Sequence, residues 1–67
     1  MFYFIFSDDF DTLFAVRCDD VLTAHLIAAK NIDNIDLGDS YTLLESFEAD
    51  ELGVARINRM NIYDVFS

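Results

Sequence analysis

The sequence predicts a small α+β domain, a four-stranded antiparallel sheet with one helix packed on it and the elements in ββαββ order. Three features carry that prediction. Apolar residues alternate with a period of two near both ends of the chain, they recur at spacings of three and four in its centre, and turn-forming residues separate these stretches.

Residues Phe2 to Ser7 are rich in aromatics that favour strands, with Phe2, Phe4 and Phe6 on one face and Tyr3 and Ile5 on the other. This is a strand apolar on both sides. Asp8-Asp9-Phe10-Asp11 supplies turn chemistry, because Asp side chains accept from nearby backbone amides, and Thr12 to Cys18 resumes the alternation to complete a hairpin. Asp19 or Asp20 is placed to cap a helix over Val21 to Ile32. In that helix Val21, Ala24, Ala28 and Ile32 form one row beside a second row of Leu22, Leu26 and Ala29, and together they form a stripe facing the sheet, with Ile27 directed to solvent. Asp33 to Ser40 reads as a loop. Tyr41 to Phe47 fits a strand with Tyr41, Leu43 and Phe47 on one face; Ser40 capping a helix through Leu52 is the alternative. On the preferred strand reading, Glu48 to Gly53 is a hairpin loop and Val54 to Phe66 the last strand.

Residues 1–67 form a single domain on this reading, because a chain of 67 residues supports one core. Hydrophobic residues make up 54% of it, which excludes a disordered acidic tail. No apolar run is long enough to span a bilayer, and the first residues lack the basic start of a signal peptide, so a cytoplasmic location is expected. One cysteine, Cys18, forms no internal disulfide or zinc site. Because a single helix covers only one face of a sheet that begins with a two-sided strand, a homodimer or a hydrophobic partner is expected to cover the other.

Thirteen acids against four Lys and Arg give a net charge of −9. Direct nucleic-acid binding and attachment to an anionic membrane are both disfavoured, since each needs basic side chains. A basic partner is favoured instead. Solubility alone explains many acidic surfaces, but so large an excess on so small a domain also costs self-repulsion.

The sequence offers no catalytic constellation. His25 falls within the apolar arc of the helix and reads as a core or interface residue. Cys18 lies beside Asp19 and Asp20 and lacks the positive surroundings that activate a thiol. Asp33, Asp36 and Asp39 recur every three residues, unlike the alternating ligands of a calcium loop, and no closing Glu follows at the right distance. Paired carboxylates for sugar hydrolysis need a cleft that so short a chain has little room to build. No enzyme activity, metal or cofactor is expected.

Twelve of the thirteen acids fall into four clusters, at the first turn, the helix start, the central loop and the second hairpin. Those at turn positions, Asp8, Asp9, Asp11, Asp33, Asp36, Asp39, Glu48, Asp50 and Glu51, are the candidate partner-binding residues. Gathered on one side, they would present negative charge spaced somewhat like duplex phosphates to a basic nucleic-acid-binding surface of a host protein.

In size, acidity and the strand-to-helix stretch from Phe14 through Cys18-Asp19-Asp20 to Ala29, the chain resembles the small phage and mobile-element proteins that include anti-CRISPR and anti-restriction inhibitors. The resemblance implies a non-enzymatic inhibitor that binds a host defence nuclease or surveillance complex in the host cytoplasm. It carries over no individual residue. The alternative is a small phage or bacterial structural or accessory module that assembles through hydrophobic contacts.

Overall fold

The computed structural model of the chain describes residues 1–35 and 40–67, and of residues 32–35 the backbone alone. The elements are β1 (Phe2–Asp8), β2 (Leu13–Cys18), α1 (Val21–Ile35), β3 (Tyr41–Glu48), α2 (Glu51–Arg59) and β4 (Val65–Phe66). The four strands form one sheet in the order β3-β1-β2-β4. The α+β class is as expected and the first helix starts at Val21 as expected, but its backbone runs on through Asp33 to Ile35, where a loop was expected, the order is ββαβαβ and the sheet is mixed, since β4 runs parallel to β2 while β1 runs antiparallel to both its neighbours.

The two-sided character of β1 dictates a core on each face of the sheet. On one face Phe4, Phe6, Phe14, Val16 and Cys18 pack under Ala24 and Ala28 of α1, with Ile27 seated against the same cluster. Alanines at two adjacent turns let the helix backbone approach the aromatic layer closely. Only this row faces the sheet: Leu22 lies two residues, roughly 200° of helical turn, from Ala24. Leu22, Leu26 and Val21 are 70%, 66% and 47% exposed, and the expected assignments of these three to the sheet-facing stripe and of Ile27 to solvent are reversed.

On the opposite face Tyr3, Ile5 and Ala15 pack against Ile57 and Ile62, with Phe47 and Met60 alongside. The cover expected from a second copy is therefore supplied within the chain by α2 and the residues after it. Asp50 caps this helix with extended backbone, and its Oδ1 accepts from the Gly53 N–H at 2.8 Å. Gly53 meets the end of β3 so closely that a Cβ there would overlap the Glu48 carbonyl oxygen. The helix ends where Asn61 adopts a left-handed φ of 56° and the Ile62 N–H reaches back to the Ile57 carbonyl at 3.4 Å. That terminating turn places Ile57 and Ile62 together in the core.

Strand β3 carries one extra residue. Ile5 pairs with Glu45 and Phe6 with Leu43, which leaves Leu44 bulged between them. The bulge moves the remainder of the strand to the other face, so Tyr41 and Leu43 pack under α1 while Phe47 packs under α2. The expected single face for Tyr41, Leu43 and Phe47 is corrected accordingly.

Candidate partner-binding surface

The strand register gathers the chain's junctions at two ends of the sheet. At one end lie the β1–β2 turn and the start of β3. At the other lie the start of β1, the passage from β2 into α1 and the passage from β3 into α2, as Phe2 pairs with both Cys18 and Glu48. The Ala49 N–H donates to the Met1 carbonyl at 3.0 Å, and the Met1 amino group lies 3.3 Å from Asp19 Oδ1. Seven residues of β1 at about 3.4 Å each separate the two ends by roughly 20 Å.

At the turn end, Asp8, Asp9 and Asp11 occupy different environments. Asp9 and Asp11 are exposed, and the Ser40 hydroxyl donates to Asp9, tying the turn to the start of β3. Asp8 departs from its expected exposure: it is 6% exposed, and its Oδ1 accepts from the Phe10 and Thr12 amides at 2.8 and 2.9 Å. It holds the turn closed, with Asp11 in the left-handed region at φ 60°. At the other end Glu48, Asp50 and Glu51 are all exposed, although Asp50 is committed to the α2 cap. Asp33 lies in the last turn of the α1 backbone, and its side chain, with all of Asp36 and Asp39, lies outside the described residues.

Asp19 and Asp20, which lie at the helix start and are not among the nine expected turn residues, join Glu48, Asp50 and Glu51 at this second end. Asp20 caps α1, its carboxylate accepting from the Thr23 N–H at 2.8 Å and from the Thr23 hydroxyl at 3.0 Å. Those bonds, the backbone one first, hold the Asp20 carboxyl below its ordinary pKa. Burial pushes the Cys18 thiol up, and its Sγ–H donates to the Asp20 carbonyl at 3.2 Å, so Cys18 is a packed thiol and not a nucleophile in waiting. His25 is half-buried between the rings of Phe6 and Tyr41, with the Tyr41 hydroxyl donating to the His25 carbonyl, as a core position requires.

Among the described residues, cations offset little of this charge. Arg56 pairs with Glu45 while lying over the Phe47 ring, and the Met1 amino group faces Asp19. Asp9, Asp11, Glu48, Glu51 and Asp64 are exposed, and no described cation lies within ion-pair distance of them. An open concavity of about 340 Å³ lies between α2 and the end of β3, where Arg56 and Arg59 oppose Glu48 and Asp50 over Phe47 and Leu52. Its lining mixes both signs of charge and holds no nucleophile beside a base. No three described His, Cys, Asp or Glu side chains are arranged to hold a metal, and no described helix is long and apolar enough to cross a membrane.

No family model, curated protein or solved structure matches the chain.

Proposed function

We propose that this protein is a non-enzymatic inhibitor that binds a basic, nucleic-acid-binding surface of a host defence nuclease or surveillance complex, in the manner of the anti-CRISPR and anti-restriction proteins it resembles. The observation that carries the reading is the placement, at both ends of the sheet, of exposed acids with no described cation within ion-pair distance, Asp9 and Asp11 at one and Glu48 and Glu51 at the other. A separation of about 20 Å corresponds to about six phosphate steps along one strand of a duplex. A basic channel shaped for nucleic acid would meet negative charge at both ends of the domain, and the summed field would speed association at low salt.

A second reading, a module assembling through hydrophobic contacts, draws on Leu22 and Leu26, which stand exposed on the outside of α1. The two-sided first strand and Ile27 do not add to it, because α2 covers the second face of the sheet and Ile27 packs against the core.

Cleavage assays with a panel of CRISPR surveillance complexes and restriction nucleases test the proposal. The expected result is inhibition of at least one enzyme, relieved by excess duplex DNA and by added salt. Inhibition indifferent to both, or none across the panel, would contradict it.

A further inference from the structure

The outward face of α1 carries an apolar row that ends in a cation. Leu22, Leu26 and Lys30 follow at every fourth residue, so they share one face, opposite the Ala24 and Ala28 row that meets the sheet, and all three are exposed. Asp19 and Asp20 stand exposed at the start of the same helix. Counted from the midpoint between the two leucines, Lys30 comes six residues later and Asp19 five earlier. At roughly 1.5 Å per residue these are about 9 and about 8 Å along the helix axis, nearly equal distances in opposite directions. A face with an apolar centre, an acid at one end and a base at the other is complementary to itself when turned end for end.

We propose that this face pairs with the same face of a second copy of the chain, the two α1 helices running antiparallel about a two-fold axis that passes between Leu22 and Leu26. Leu22 of each copy then meets Leu26 of the other, and Lys30 of each reaches Asp19 of the other. Side chains four residues apart form the ridge that such a pair of helices interleaves. The order of charge along the helix selects this occupant. A uniformly basic helix would set a cation against Lys30, and two copies in parallel would set Lys30 against Lys30 and Asp19 against Asp19. Glu51 and the rest of α2 lie across the sheet from this face, so their charge opposes association only at long range, where salt screens it. A contact of about two helical turns is small for a permanent dimer, so the association is weak and concentration-dependent. The inference goes beyond the proposed function and does not depend on it: a dimer would present each acidic end of the sheet twice.

Sedimentation equilibrium of the full chain, from micromolar to millimolar concentration, should show a monomer–dimer equilibrium that tightens as added salt screens the net charge of −9. Exchange to L22Q/L26Q should weaken the dimer about tenfold or more with an unchanged circular dichroism spectrum, since the apolar centre of the contact is lost from both copies. K30E and D19K, compared at one salt concentration, should each weaken it severalfold, because each sets like charges together at both ends of the contact. An equimolar mixture of the two variants should recover a dimer as tight as the parent's, since each variant supplies the charge that the other lacks. A monomer at every concentration and salt would overturn the proposal. So would a dimer that L22Q/L26Q leaves intact, which would place the contact elsewhere on the molecule. A mixture of K30E and D19K no tighter than either variant alone would rule out the antiparallel arrangement and with it the proposal.

Discussion

Asp8 and Asp9 are adjacent in sequence and alike in chemistry, yet one is an internal strut and the other a surface charge. Asp8 ends β1 on the face shared with Phe4 and Phe6, and its Oδ1 accepts from two amides of the turn it closes, while its buried Oδ2 has no hydrogen-bond partner among the described residues. Asp8→Ala should therefore cost about 1 to 3 kcal/mol in urea unfolding, because it removes two hydrogen bonds from a carboxylate to the turn amides, whereas Asp9→Asn should be nearly silent. Asp20 makes a prediction in pH. Its folded pKa is depressed, so its charge contributes stability above the ordinary carboxylate range and loses it as pH falls through the folded value. The difference in melting temperature between the parent and Asp20→Asn should be present at neutral pH and close below about pH 3 to 4. A difference that stayed constant through acid would show that the cap's charge is not what stabilises α1.

The elements that were legible in the sequence are those whose period stays constant from end to end. β1, β2 and the start of α1 met that condition, and the hairpin turn was marked by its three Asp residues. β3 was placed correctly but its faces were not, because a single bulged residue at Leu44 reverses the alternation and leaves no mark in composition. The stretch that forms the second helix reads as part of a strand because Met60, Ile62 and Phe66 fall at even spacings, although Gly53, Ile57 and Met60 also recur at helical spacing and Asp50 and Asn61 stand at its two ends. Of the candidate site, the exposed acids were legible as charge. Their division between two ends was not, since it depends on strand register. Gly53 tests the placement of α2: Gly53→Ala forces a methyl group against the Glu48 backbone and should destabilise the domain by roughly 1 to 3 kcal/mol in thermal or urea unfolding. A neutral or stabilising effect, as at an open helix position, would show that the helix does not cross β3 so closely.

The whole molecule joins a core on both faces of one sheet to a net charge of −9, and the two requirements oppose each other. Like charges at each end work against the compact state, so a field retained for binding should separate from stability when it is removed. Asp8 and Asp50 must be left in place for that comparison, because they close the turn and cap α2. The variant that isolates surface charge is D9N/D11N/E48Q/E51Q, which touches neither. Each exposed charge pair contributes only about 0 to 1 kcal/mol, so single changes should matter little and the four together should matter much. The decisive measurement is the affinity of parent and fourfold variant for a nuclease inhibited by the parent, taken across a range of salt. The account predicts that the parent's affinity falls steeply as salt rises, that the variant binds weakly with a shallow slope, and that its melting temperature is equal or higher. An unchanged affinity and salt slope in the variant would contradict it.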